Sequence, residues 1–160
     1  MYCTKFQSPL GPLLLAANDR GLCLLSFAAS KRAILPQPDW TQDKAPFEEA
    51  ILQLQAYFHG ELKEFDLPLN LEGSTFQLRV WQSLRAIPFG ETISYGELAQ
   101  RIGQPKAARA VGLANSLNPI PIIVPCHRVI GSNGNLTGYG GGIRIKEKLL
   151  SFESGQLRLL

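Results

Sequence analysis

Cysteine, histidine and methionine are scarce in this chain of 160 residues, at three, two and one. An odd number of cysteines supplies no disulfide framework, and free thiols fit a reducing compartment. The start, Met1-Tyr2-Cys3-Thr4-Lys5, lacks the basic segment and long apolar middle of a secretory signal. An intracellular location, cytoplasm or nucleoid, is therefore expected. No uninterrupted apolar run reaches the ~18 residues that a membrane-spanning helix needs, so no membrane partner is expected. Cys3, Cys23, His59, Cys126 and His127 show no paired ligand spacing, which argues against zinc or another bound metal. Internal repeats and low-complexity tracts are also missing.

What remains is the composition of a globular protein, 45% hydrophobic and 18% charged. The net charge of +3 hides an asymmetry. Up to Gly73 there are 6 Lys/Arg against 9 Asp/Glu, and from Ser74 onward 10 against 4. The second half has the electrostatics of a polyanion binder; a merely solvated basic face gives the same count.

The organisation suggests two units, 1–73 and 74–160, with Glu72-Gly73-Ser74 as the link. In the first, Thr4 to Phe6, Pro12 to Ala17 and Leu22 to Phe27 alternate with turn residues and predict a small antiparallel sheet. Phe47, Ala50, Ile51, Leu54 and Phe58 recur at helical spacing, with Gly60 placed to stop the helix. Phe65 to Leu71 is expected as an edge strand, because Pro68 cannot donate to a ladder.

In the second unit Thr75 is expected to cap a helix carrying Phe76, Val80, Leu84 and Ile87. Ser94-Tyr95-Gly96-Glu97 has the pattern of a capping box, opening a helix that stops at Gly103. Another helix is expected over Lys106 to Leu117, with Pro105 at its start. Two short helices around a tight turn form a helix-turn-helix pattern, which serves either plain packing or DNA binding. The second helix is slim, with Ala107, Ala108, Ala110 and Gly112 around the long Arg109. Either it packs tightly inside the protein or it presses against a nucleic-acid groove.

Pro125-Cys126-His127-Arg128 is the chemical centre of the sequence. It ends an apolar run, Pro119 to Val124, read as a strand, and precedes a glycine-rich loop from Gly131 to Gly142. A thiolate is the reactive form of cysteine, and a nearby base or cation such as Arg128 favours it. Neighbours in a strand face opposite ways, however, and a buried cysteine is often inert. A thiol hydrolase would bring cysteine and histidine together from separate segments, and the only other histidine is His59 in the acidic half.

Pro125-Cys126-His127-Arg128-Val129-Ile130, preceded by Asn118-Pro119 and followed by Gly138-Tyr139, resembles the signature of the alkylguanine-DNA alkyltransferases. The similarity runs from about Phe76 to Glu153. It takes in Thr92 to Ala99 and Ala107 to Gly112, with looser matches at Ser8 to Gly11 and Phe65 to Leu69. The resemblance implies an α/β N-terminal domain like ribonuclease H, with a small antiparallel sheet. It also implies a mainly α, winged-helix-like C-terminal domain with a helix-turn-helix. The implied activity is DNA repair: irreversible, stoichiometric transfer of an alkyl group from oxygen-6 of guanine to Cys126, a self-inactivating methyltransferase without a cofactor. The alternatives are an alkylated-DNA binding module without transfer, as in relatives lacking the cysteine, and a thiol hydrolase.

The same resemblance assigns roles. His127 deprotonates Cys126 through a water, and Glu153 orients His127. Tyr95 crowds the target phosphate and donates to the leaving guanine. Arg109 fills the stack vacated by a flipped base, while Ala107, Ala108, Ala110, Gly112 and Arg128 complete the DNA-facing set. The carbonyls of Cys126 and Val129 read the exocyclic amine, backbone near Tyr139 and Gly140 covers the base, and Asn118 is a hinge. Double-stranded DNA carrying alkylated guanine, entered through the minor groove, is the implied partner of a monomer. Separately, Gly140 to Gly142 is expected to form a roomy or mobile lid that admits adducts larger than methyl.

Overall fold

The computed structural model describes residues 1–136, 139 and 141–160. Its amino-terminal half is a sheet backed by one helix. Strands β1 (Tyr2–Ser8), β2 (Gly11–Asn18) and β3 (Gly21–Phe27) form an antiparallel meander, and β4 (Thr41–Gln42) runs parallel to β1 at the edge. The turns follow from their residues. Ser8 Oγ accepts from the Leu10 N–H and donates to the Gly11 carbonyl, and Asn18 Oδ1 accepts from the Arg20 N–H. Central β2 is buried on both faces, which explains its unbroken apolar run.

Leu13, Leu15 and Ala17 join the main core, whereas Leu14 and Ala16 meet Cys3, Leu24 and Trp40 on the other face. Helix α1 (Glu48–Phe58) buries Ile51, Leu54, Tyr57 and Phe58 in the main core, with Ala50 also buried, and Gly60 ends it with a positive φ of 79°. The expected edge strand near Pro68 reduces to one bridge, Leu22 to Leu69. The Pro68 carbonyl accepts from Leu22 N–H, and the missing proline N–H stops the ladder growing.

The second half is helical: α2 (Thr75–Leu84), α3 (Tyr95–Arg101), α4 (Ala108–Ser116) and α5 (Ile143–Glu153). Ser74, not Thr75, caps α2, because Gln77 sits three residues on and completes a reciprocal capping box. At α3 only half of the expected box forms. Ser94 Oγ accepts from Glu97 N–H, while the Glu97 carboxylate pairs with Arg101. Helix α4 starts two residues later than expected, since Gln104 to Ala107 closes as a hydrogen-bonded turn. Trp81 Nε1 donates to the Ala114 carbonyl and pins α2 to α4.

The apolar run before Cys126 is not a strand. Residues 119–124 form a buried turn, with Ile122 at φ 74°, and Cys126–Arg128 is a single 3-10 turn. Pro119, Pro121 and Pro125 have no N–H for a ladder, and burial on all sides accounts for the apolar residues. Strand β6 (Val129–Ile130) then pairs in parallel with β5 (Ile93–Ser94), bringing the start of α3 beside the cysteine turn. One hydrophobic core spans both halves, from β2 through α1 and α2 to α5. Among the described residues no helix is long and apolar enough to cross a membrane.

Candidate active site

Cys126 opens the 3-10 turn and is 3% exposed. It lines a cavity of about 220 Å³, whose walls include Phe27 of β3, Arg32, Asn118, Pro121 and Tyr139. That is below the ~300–1,000 Å³ of drug-sized sites and of the order that one flat base needs. Burial pushes the thiol up to about 11, against the opposing effects of an Asn118 hydrogen bond and the Lys146 charge. Near neutral pH the sulfur is therefore a thiol until a base takes its proton, the part the resemblance gives to His127.

His127 is fully buried, and Nε2 lies 2.8 Å from Glu153 Oε2. Burial would raise the pKa of Glu153. The hydrogen bonds and charges of His127 and Arg128 win, holding it well below the usual carboxylate range. An ionised carboxylate only accepts, so His127 Nε2 carries the proton. Nδ1 is left as the basic nitrogen, and it has no hydrogen-bond partner among the described residues. Burial lowers the His127 pKa despite Glu153, so the imidazole is neutral. The cysteine, histidine and acid of the sequence reading are thus joined by a 3-10 turn and the last residue of α5.

Arg128 is a correction. It does not face solvent or DNA; it is 5% exposed, with Nε and Nη2 donating to the two oxygens of Glu153 at 2.8 and 2.9 Å. Nη1 donates to the Ile87 carbonyl at 2.6 Å. A buried guanidinium must be paired, and each of the three nitrogens of this one donates a hydrogen bond. The cation acting on Cys126 is Lys146, fully buried on α5, with its own pKa lowered by burial to about 8.

The carbonyls expected to read a base are already engaged. Cys126 O accepts from Asn115 Nδ2 at 3.2 Å and from the Val129 N–H, and Val129 O accepts from Lys146 Nζ at 2.6 Å. Asn118 does tie the end of α4 to the cysteine turn. Its Nδ2 donates to Val124 O at 2.7 Å, its Oδ1 accepts from Ile120 N–H, and its amide reaches the thiol.

Tyr95, first residue of α3, is half-buried, with Lys146 Nζ 5.8 Å from its ring centroid. Gly112 of α4 lies against that ring, where an added Cβ would sit 3.7 Å away in ordinary contact. Val111, Ala114 and Asn115 face the core, while Arg109, Ala110 and Leu113 face out, and Ala107 and Ala108 are half-buried at the start of α4. Tyr139 is buried and its hydroxyl has no hydrogen-bond partner among the described residues. Gly140 lies outside the described residues. The roomy lid is not found at Gly141: a Cβ there would lie 2.6 Å from the Tyr139 ring and 2.7 Å from Phe27. Glycine at 141 is required by close packing.

Three site residues were not anticipated: Tyr57, Asn115 and Lys146. Tyr57 shares the stripe of Ala50 and Leu54, Asn115 follows Val111 by four, and Lys146 precedes Leu149 by three. Polar residues on buried helical faces were the available signal.

Fold and site together define a two-domain protein in which a sheltered cysteine, backed by a His–Glu pair, borders a base-sized cavity. Two family models match, the 6-O-methylguanine DNA methyltransferase ribonuclease-like domain over residues 1–71 and the DNA binding domain over 75–155. A Methanosarcina acetivorans methylated-DNA–protein-cysteine methyltransferase is 56% identical over 153 residues, covering 96% of this chain and 98% of the relative. The similarly named Mycobacterium tuberculosis protein is 55% identical over 151 residues, 94% and 90% of the two chains. The crystal structure of Mycobacterium tuberculosis OGT in complex with DNA superimposes with a TM-score of 0.90 at 52% identity, covering 98% of this chain and 94% of that one. The chain belongs to the 6-O-methylguanine DNA methyltransferase family.

Proposed function

We propose that this protein binds DNA and repairs it by moving an alkyl group from oxygen-6 of guanine onto Cys126, a methylated-DNA–protein-cysteine methyltransferase consumed by its single reaction. The observation that carries the assignment of the acceptor is the Cys126 thiol at the wall of a base-sized cavity, next to a neutral imidazole held by Glu153.

The chemistry balances without a cofactor. The Cys126 proton passes to His127 Nδ1 through a water, and sulfur attacks the alkyl carbon. The S–C bond forms as the C–O bond to guanine breaks, and the departing oxygen's electron pair is met by a proton from the Tyr95 hydroxyl. His127 then returns its proton to Tyr95, so thioether and guanine are both neutral. Lys146 and the Asn118 amide stabilise sulfur while it is anionic.

A paired guanine hides its oxygen-6, so the nucleotide must be flipped from the duplex. Helices α3 and α4 serve as a helix-turn-helix within a winged-helix-like domain, the exposed Arg109, Ala110 and Leu113 face of α4 entering the minor groove. Arg109 fills the gap left in the stack. Backbone at Tyr139 covers the everted base, and the Val129 carbonyl faces its amine while also accepting from Lys146. We divide the chain at 73/74, read it as a monomer, and place it in the cytoplasm or nucleoid. A binding-only role leaves Cys126 unused, and a hydrolase has no second histidine, since His59 is exposed at the end of α1.

Intact mass spectrometry after incubation with duplex containing O6-methylguanine tests the reading. The expected product carries one methyl in place of a proton, mapped to the peptide of Cys126, and Cys126→Ala gains none while still binding DNA. Transfer to another residue, or none at all, overturns it.

A further inference from the structure

One buried group next to the reaction centre is unused by this mechanism. Tyr57 lies on α1, in the other half of the protein, and is fully buried. Its hydroxyl donates to Glu153 Oε2 at 2.6 Å. The same oxygen accepts from His127 Nε2 at 2.8 Å and from Arg128 Nη2 at 2.9 Å. The ring is held by Phe58, Phe65, Phe89 and Phe152, with centroids 5.3 to 6.0 Å away. Packing alone would be served by phenylalanine, which buries no hydroxyl. The hydroxyl has one direction, and it points at the acid behind the base.

We propose that Tyr57 is a positioning residue for alkyl transfer: its hydroxyl fixes the Glu153 carboxylate and limits how strongly that carboxylate draws a proton onto His127. This deepens the function proposed above and rests on it. His127 must stay neutral to accept the thiol proton. Glu153 on α5 opposes that, while Arg128 on the same turn and Lys146 on α5 support it. Lys63 lies 5.7 Å from the Phe89 ring centroid. A donor on Oε2 withdraws charge from the carboxylate, so less is left to stabilise imidazolium. By this route the sheet domain tunes a reaction carried out in the helical one.

The test is Tyr57→Phe, which removes one oxygen and keeps the ring. His127 is titrated by NMR in histidine-labelled protein, where the only other imidazole is the exposed His59. Alkylation of Cys126 by free O6-benzylguanine is followed across pH in parallel. The expected result is an upward move of the His127 midpoint, an equal move of the acid limb, and a transfer roughly three- to tenfold slower on the acid side, the equivalent of one hydrogen bond. Site-specific 3-fluorotyrosine at 57, a stronger donor of the same shape, moves both downward. Unchanged midpoints in the two proteins, with at most a uniform loss of rate or of thermal stability, overturn the proposal. The titration requires no transfer, so an inert Cys126 in the unaltered protein refutes the repair function without being mistaken for a failure of this coupling.

Discussion

Arg128 turns its guanidinium onto both carboxylate oxygens of Glu153, 2.8 and 2.9 Å away, although it lies two residues from the cysteine whose charge it was expected to influence. The pair staples the cysteine turn to the end of α5. Arg128→Ala should lower unfolding free energy by about 3–5 kcal/mol, because Glu153 is left buried with half its donors. Urea denaturation measures the loss. Where the variant remains folded, the salt slope of DNA binding should match that of the parent, because Arg128 meets no phosphate.

The resting thiol provides a second expectation. With the pKa of Cys126 pushed up to about 11, iodoacetamide should label it slowly near neutral pH and faster as pH rises toward that value. Peptide mapping is needed, since Cys23 is partly exposed. Asn118→Ala removes a hydrogen bond to the sulfur and should slow labelling further.

Arg109 projects from α4 and makes no hydrogen bond or ion pair among the described residues. Arg109→Ala should slow transfer from O6-methylguanine in duplex DNA by at least tenfold, equivalent to ~1.4 kcal/mol, and leave reaction with free O6-benzylguanine nearly unchanged. Equal loss with both substrates would remove Arg109 from base eversion.

Acid should destabilise the fold in two stages. The His127 pKa is lowered in the folded protein, so the unfolded chain takes up that proton first, and stability begins to fall near the ordinary value of 6.5. Glu153 is held low, so its contribution is intact above the unfolded carboxylate value of ~4.3 and drains away as pH falls toward the folded one. Urea midpoints across this range should decline in both parts, and His127→Gln should flatten the upper one.

The sequence disclosed elements with strong local signals. The α1 stripe ending at Gly60 and the turns at Ser8 and Asn18 were legible locally, whereas the pairing of His127 with Glu153 was implied only by the family resemblance. Direction was harder to read. Nothing local says whether Arg128 faces a cleft or a buried acid 25 residues on, or that Pro119 and Pro121 turn an apolar run into a coil. Carbonyl groups are worse still, since their partners Asn115 and Lys146 arrive from other helices. Tyr57 had its helical position available, but its purpose depended on Glu153, 96 residues away.

The sulfur starts as a neutral thiol and finishes as a neutral thioether. A spent molecule therefore differs from a fresh one in girth, not in electrostatics. The added bulk comes to rest where the fresh sulfur is reached by the amide of Asn118.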